Sequence, residues 1–369
     1  MNPAWTVALA HDWLNGMRGG ERCLDLICKE FPQADIYTLL YRPEQVSATI
    51  RSHKVHEAGL ARLPFFREHY RWFLPLFPKA IESFRVPAGT DLVLSTSHCV
   101  AKGIVPPQGA KHLCYCFTPM RYAWALQTEY FGRNRLKRAV LDRMLARLRK
   151  WDRDASARVD RFVAISRHVQ TRIKDYYGRE SVVVYPPVAT QYFTPDEQGG
   201  DDGYDLVVSA LVPYKRVDLA VRAYARTGRS LKVAGVGTDM EALRKIATPN
   251  VEFLGRVPDE KVRELYQRCR FLVFPGEEDF GIVPLEAQAC GKPVLAYGRG
   301  GLLETVVAGL SGVFFGEQTE DALIDAVERA ESMAWDAAAI RVHAEQFSEV
   351  RFLEGLRAQI ETLMTGRRL

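Results

Sequence analysis

The sequence predicts an α/β protein built from two doubly wound parallel-sheet domains, and three observations predict it. Short β-branched or apolar runs alternate with helical patterns along the chain, as βαβ units require. A polar stretch rich in Gly and Asp, Thr194–Gly203, breaks that alternation without a period of its own and reads as a linker. The chain's 369 residues are also long for a single core. Residues 1–193 and 204–345 are therefore expected to be the two domains, followed by a C-terminal helix over 346–369.

Before the linker the strand candidates are Thr6–Ala10, Asp35–Thr38, Asp91–Ser95, His112–Phe117, Arg161–Ile165 and Ser181–Tyr185, with helices over Gly20–Phe31 and Leu136–Ala157. After it they are Asp205–Ser209, Leu231–Ala234, Val251–Leu254, Phe271–Pro275, Pro293–Ala296 and Gly312–Phe315. From Asp336 the pattern is helical to the end. Two such domains facing each other would open a cleft at the carboxyl ends of both sheets, where folds of this kind bind ligands.

Composition narrows the class. A chain 47% hydrophobic and 26% charged is soluble and globular in type. The apolar run Trp5–Ala10 ends at His11-Asp12, which suits a buried strand and not a signal peptide. Charged residues and Pro75 interrupt the aromatic stretch Phe65–Phe77, so it cannot span a bilayer. The seven cysteines are scattered without zinc-ligand spacing and read as reduced thiols in a cytoplasmic protein. The net charge of +5 is uneven: residues 1–190 hold 29 Lys+Arg against 17 Asp+Glu, leaving 21 against 28 in the remainder. No nucleic-acid-binding motif accompanies the basic half. An anionic membrane or a pyrophosphate-linked acceptor explains its +12 as well as nucleic acid would.

The segment carrying the chemistry is Phe271–Ala296. A buried strand enters a loop with Glu278, Phe280 and Gly281, Pro284 suits a first helical position, and Gly291 ends the helix before the next strand. Such a loop brings free backbone amides and the positive end of a helix to the sheet edge, which is an anion site fit for a diphosphate. Glu286, expected in the first turn, and Glu278, in the loop, are placed to accept hydrogen bonds from ribose and sugar hydroxyls. A glutamate pair at this spacing is common by chance; the strand, loop and helix around it give it meaning.

The run Glu278-Asp-Phe-Gly-Ile-Val-Pro-Leu-Glu286 resembles the E-x7-E signature of family-4 retaining glycosyltransferases of the GT-B fold. Further blocks agree in order: Gly19-Gly20-Glu21 with the N-terminal glycine loop, Ser209–Arg216 with the donor-phosphate block, Phe253–Val257 with the nucleobase loop and Gly300–Glu304 with the G-G-x-x-E loop. HDWLNGMRGGERCLDLI, SHCVAKG and CYCFTPMRYAW are similar to a bacterial branch that includes O-antigen and exopolysaccharide mannosyltransferases. The resemblance implies a last helix packing back on the first domain. It also implies Glu286 on the donor ribose, Glu278 on the transferred sugar, and Lys215 with the backbone of Phe280, Gly281, Ile282 and Val283 on the diphosphate. Arg216, Arg256 and Val257 complete the donor set; Asp12, Gly19, Gly20 and Glu21 form an acceptor or phosphate loop. The catalytic candidates are Glu278, Lys215 and His98. No cofactor or metal is expected, because lysine and a helix N-terminus can stabilise the leaving diphosphate and no Asp-x-Asp pair is placed to hold a divalent ion. The co-substrate is a nucleotide-sugar, GDP-mannose in the leading reading.

The chain departs from the family pattern twice. Ala210 stands where an arginine often partners the lysine, and Arg216 is the candidate substitute. Phe117 stands where a histidine often meets the sugar, and His98 is the nearest polar alternative. Gly235-Val-Gly237 lacks the third glycine of a dinucleotide fingerprint and reads as a turn near the donor.

Basic residues recur from Arg133 to Arg158 beside an apolar stripe, Leu136, Val140, Met144, Leu148 and Trp151. Aromatics are interleaved with basic residues from Phe65 to Arg85. Either stretch could face the core, or dock the protein on the inner face of the cytoplasmic membrane near a lipid-linked or polysaccharide acceptor. The expected function is hexosyl transfer with retention in cell-surface glycan synthesis. The alternatives are a UDP-sugar donor, an epimerase or phosphorylase of similar architecture, or a degenerate membrane-associated scaffold.

Overall fold

A computed structural model describes residues 5–124, 135–197 and 199–366 of the chain. Arg133, the side chains of Leu136 and Val140 in the apolar stripe, and the end of the 346–369 helix beyond residue 366 lie outside the described residues. The chain divides into two compact units, 1–186 with 352–369, and 187–351. The division falls ahead of the polar stretch 194–203, because Val188 bonds through its amide to the Phe347 carbonyl (2.9 Å) and Phe193 belongs to the apolar cluster of the second unit.

The first unit holds seven parallel strands: β1 (Val7–His11), β2 (Asp35–Thr38), β3 (Val55–Glu57), β4 (Leu92–Ser97), β5 (Lys111–Cys116), β6 (Arg161–Ala164) and β7 (Ser181–Val183). Their order is β3-β2-β1-β4-β5-β6-β7. The central strands β1 and β4 are buried along their whole length, which is why they read as continuous apolar runs. The sequence reading omits β3: three half-buried residues, Val-His-Glu, carry no periodicity to detect. Among the helices, α1 (Gly19–Glu30) follows β1, α2 (Arg135–Ser156) precedes β6 and α3 (Arg167–Tyr177) follows it. Ser166 caps α3, its hydroxyl accepting the Val169 amide.

Helix α2 lays Leu145 and Leu148 in the core, with Met144 and Trp151 packed against it. Lys102 and Asp152 form a buried ion pair, and Asp152 also accepts from Trp124 Nε1 (2.8 Å) and the Tyr177 hydroxyl (2.7 Å). Buried charges persist only when paired and hydrogen-bonded in this way. Asp152-Arg153-Asp154 is the chain's one Asp-x-Asp sequence. It lies within α2, where Asp152 is taken up by this cluster and Asp154 by Lys150 (2.6 Å).

The second unit holds six parallel strands: β8 (Asp205–Val208), β9 (Leu231–Ala234), β10 (Val251–Gly255), β11 (Leu272–Phe274), β12 (Val294–Tyr297) and β13 (Gly312–Phe315), in the order β10-β9-β8-β11-β12-β13. Its helices include α4 (Val217–Thr227), α5 (Asp259–Arg268), α6 (Ile282–Ala289) and α7 (Ala337–Glu345), and apolar clusters cover both faces of the sheet. Helix α7 stops before residues 346–348, and α8 (Glu349–Thr365) follows within the span 346–369 expected for the C-terminal helix. Helix α8 packs on the first unit, with Phe352 against Tyr115 (5.4 Å between rings), Arg357 on Glu30 and Arg161 on Gln359. All seven cysteines are free and buried.

In each sheet the strand order reverses beside the first strand, between β1 and β4 in one and β8 and β11 in the other. Connections there leave in opposite directions, so a crevice opens at the carboxyl edge.

Candidate active site

In the second unit, the loops that follow β8, β9, β11 and β12 meet backbone to backbone at that edge. A Cβ on Gly235 would stand 1.8 Å from the Ser209 carbonyl oxygen, and one on Gly237 2.0 Å from that of Leu211. Only glycine permits approaches this close. A Cβ on Gly276 would stand 3.0 Å from the backbone of Lys215, so the β8 and β11 loops also approach closely across the reversal point.

Lys215 and Glu278 form an ion pair there, each side chain 17% exposed. The Glu278 carbonyl accepts the Gly301 amide (2.8 Å), so the G-G-x-x-E loop fixes the backbone that carries this glutamate. Arg216 takes the left-handed conformation (φ 52°), and its guanidinium contacts Asp218 (3.2 Å) and Gln318 (3.0 Å). Gln318 in turn donates to the Pro275 carbonyl (2.8 Å) at the mouth of the β11 loop. Arg216 is thus held beside the loop through Gln318.

Gly281 caps α6 at φ 104°, a conformation suited to glycine. The helix begins at Ile282, so Pro284 is its third residue, not its first, and Glu286 is in the second turn, not the first. The amides that open α6 have no carbonyl partner within the helix. Glu286 is nearly buried and accepts the Tyr266 hydroxyl (3.0 Å). Burial pushes the Tyr266 phenol well up, with Glu286 adding to it, so this tyrosine remains a donor. Phe280 turns its ring inward to Phe347 (5.8 Å) and offers only backbone to the loop. At the end of β10, the Gly255 carbonyl accepts the Gly235 amide (2.7 Å), Arg256 is exposed and Val257 packs on the apolar cluster.

In the first unit, Asp12 leaves β1 fully buried and accepts four backbone amides: His98 (2.7 Å) and Cys99 (2.9 Å) on Oδ2, Val100 (2.6 Å) and Ala101 (2.7 Å) on Oδ1. His98 Nδ1 lies 3.2 Å away. Burial alone would raise the Asp12 carboxyl; His98 and the amides outweigh burial and hold it below its ordinary value. Asp12 is therefore committed to shaping the turn after β4, which corrects its expected place in a ligand loop. Glu21 is likewise turned inward, accepting the Arg18 amide (3.2 Å) to close the start of α1, and burial raises its carboxyl. Gly19 and Gly20 open α1, and a Cβ on Gly20 would touch Phe117 (3.4 Å) and His11 (3.6 Å).

The rings of His11, His98 and Phe117 stand 6.4 Å apart from one another. The two positions singled out from the sequence, His98 and Phe117, therefore share one wall. His98 is part exposed and set edge-on to Trp13 (4.5 Å). Burial keeps its imidazole neutral by lowering it below 6.5; Asp12 opposes this, while Arg121, Arg18 and Arg71 reinforce it. His11 is driven to about 3 by burial, with Nδ1 2.7 Å from Thr96 Oγ1.

Sequence reasoning missed Tyr266, Gln318 and His11. Each acts through a partner brought close only by folding, and in sequence Tyr266 is one more apolar position of an amphipathic helix.

Residues 17–192 match the family model of Glycosyltransferase Family 4, and residues 192–346 that of Glycosyl transferases group 1. A D-inositol 3-phosphate glycosyltransferase of Geodermatophilus obscurus is 33% identical over 235 residues, 54% of this chain and 52% of that protein. A GDP-mannose-dependent alpha-(1-6)-phosphatidylinositol monomannoside mannosyltransferase of Mycolicibacterium smegmatis is 28% identical over 235 residues, 55% of this chain and 62% of that protein. These matches span about half the length of the curated relatives. The Anabaena HepE protein, solved in complex with UDP, superposes with a TM-score of 0.70 at 17% identity, covering 97% of this chain and all of that one. Two Rossmann-like sheets with this strand order define the chain as an α/β protein of the GT-B fold. The two family matches run in tandem from residue 17 to residue 346, each over a little under half of the chain.

Proposed function

We propose that this protein transfers a hexosyl group from a nucleotide-sugar, mannose from GDP-mannose in the leading reading, with retained configuration. The acceptor is a lipid-linked or polysaccharide glycan precursor at the inner face of the cytoplasmic membrane, as in O-antigen or exopolysaccharide synthesis. The observation that carries the reading is the meeting of Lys215, Glu278 and the start of α6 at the reversal point between β8 and β11.

Cleaving a sugar–phosphate bond builds negative charge on the leaving diphosphate. An ammonium group and the unpaired amides of a helix start stabilise that charge without a metal. An arriving diphosphate competes with Glu278 for Lys215, which releases the Glu278 carboxylate to the sugar hydroxyls. Glu286, oriented by Tyr266, accepts from the ribose. In the first unit, neutral His98, whose ring stands 6.4 Å from that of Phe117, is the group assigned to orienting the sugar. Transfer proceeds by front-face attack within an ion pair.

The GDP-mannose dependence in one relative's name supports the donor, and D-inositol 3-phosphate in one name and phosphatidylinositol monomannoside in the other support a phosphate-bearing acceptor. A UDP-sugar is the second reading, supported by the UDP complex of a structural neighbour. Titration and turnover with a panel of GDP- and UDP-sugars tests both. GDP-mannose should give the tightest binding and the fastest transfer; binding without turnover on any donor would favour a scaffold, consistent with Ala210 and Phe117.

A further inference from the structure

The two most exposed large apolar side chains among the described residues are Trp72 (76%) and Phe65 (74%), and both lie in one short stretch of the first unit. Leu63 and Leu76, each 43% exposed, flank them, and Pro64 and Pro75 are exposed beside them. Phe65 holds its ring outward from a left-handed backbone (φ 59°), a conformation that bulky residues avoid. Trp72 stacks on the exposed ring of His69 (4.2 Å). Solvent alone gives no reason to keep a strained Phe and a Trp outward.

The charges along residues 62–79 are mostly basic. Arg62, Arg67, Arg71 and Lys79 face a single acid, Glu68. Arg67 is used internally, donating to Glu57 (2.6 Å) and the Tyr41 carbonyl (2.9 Å), whereas Arg62 and Lys79 are exposed at the two ends of the patch. Aromatic rings projecting between basic side chains match the boundary of an anionic bilayer, rings among the acyl chains and cations among the headgroups. No helix among the described residues is long and apolar enough to cross a membrane, so this mode of attachment is peripheral.

The underside of the patch is firmly seated. Phe66, Tyr70 and Phe77 are buried, and Trp13 packs on Tyr70 (5.2 Å) and Phe77 (6.3 Å) before meeting His98 (4.5 Å). The outward rings are thus carried on the same aromatic stack that supports the His98 wall.

We propose that Arg62–Lys79 is a wedge that inserts Phe65 and Trp72 into an anionic phospholipid leaflet, with Arg62 and Lys79 on its headgroups. This rests on the membrane reading above and replaces its basic helix with a defined apolar contact. Co-sedimentation of the full chain with vesicles of phosphatidylglycerol and phosphatidylethanolamine, or of phosphatidylcholine alone, tests it. The wild type should prefer the anionic vesicles. F65S/W72S should lower partitioning about tenfold or more, since even partial burial of each ring adds severalfold. Donor turnover on a water-soluble acceptor should be unchanged. Lipids brominated on their acyl chains should quench wild-type tryptophan fluorescence more than that of W72F. R62E/K79E should weaken binding chiefly at low salt. Equal vesicle binding by wild type and F65S/W72S would overturn the wedge and leave the membrane reading intact. No binding by the wild type would overturn both. A dimer of wild type abolished by F65S/W72S, without vesicle binding, would make the patch a self-interface and overturn the proposal.

Discussion

Replacing Asp12 with asparagine separates a structural carboxylate from a ligand contact. The carboxylate accepts two amides on each oxygen, from His98 and Cys99 on one side and Val100 and Ala101 on the other. An asparagine of the same shape has one oxygen, so its amide group must face two N–H donors that it cannot satisfy. Each lost charge-assisted bond in a buried site costs about 1.5–3 kcal/mol, hence about 3–6 kcal/mol for the pair. That is a large share of the roughly 5–15 kcal/mol that holds a domain folded. For a unit of this size it corresponds to a melting point lower by roughly 6–24 °C. The Asp12 carboxyl is held below its ordinary value of 3.8 in the folded state. Its contribution is therefore complete above that value and is lost only as pH falls through the folded one. The wild-type/D12N difference should accordingly be constant from neutral pH down to about 4. Calorimetry gives the loss, and hydrogen exchange at β1 and β4 localises it to the first unit. An unchanged melting point with turnover abolished would refute the reasoning and return Asp12 to the ligand loop.

Four further outcomes are expected. Lys215→Ala and Glu286→Ala should each weaken donor binding or turnover about tenfold to a hundredfold, the range of one charge-assisted bond, read by calorimetric titration; normal titrations in both folded variants would remove them from the site. His98→Ala should lower turnover far more than donor affinity, and a histidine at Phe117 should restore part of it because the rings lie 6.4 Å apart; normal turnover at saturating donor would make His98 structural. Chelation should leave activity unchanged, and a loss restored only by a divalent ion would contradict the lysine-and-helix site. His11, near 3 when folded and 6.5 when unfolded, binds fewer protons in the native state between those values. It should therefore make stability fall as pH drops below 6.5; His11→Gln should flatten that slope in urea titrations, and an unaltered slope would mean His11 is not buried neutral.

The sheets were legible in sequence because their central strands are buried on both faces and read as unbroken apolar runs, as in Val7–Ala10 and Leu272–Phe274. Edge strand β3 had no such signal. The loop glutamate Glu278 and Lys215 could be named from local pattern because glycines and a helix start surround them, and the fold pairs them. Asp12 and Glu21 were placed on a ligand because a carboxylate at a strand or helix end is chemically ambiguous. Which amides it meets depends on residues more than 80 positions away for Asp12 and on a three-residue turn for Glu21. Arg216 shows the same ambiguity, its direction being decided by Gln318, 102 positions on.

The return of α8 to the first unit has a consequence for biosynthesis. The second unit is one continuous stretch, 187–351, so a nascent chain carries all of it before residues 352–369 are added. The first unit emerges earlier but lacks residues 352–369 until they too have been synthesised. Until then Tyr115 is without Phe352 and Glu30 without Arg357. Domains ordinarily mature in the order in which they are translated. Here the order is inverted at the last step: a chain stopped at residue 351 keeps every residue of the later unit and leaves the earlier one unfinished.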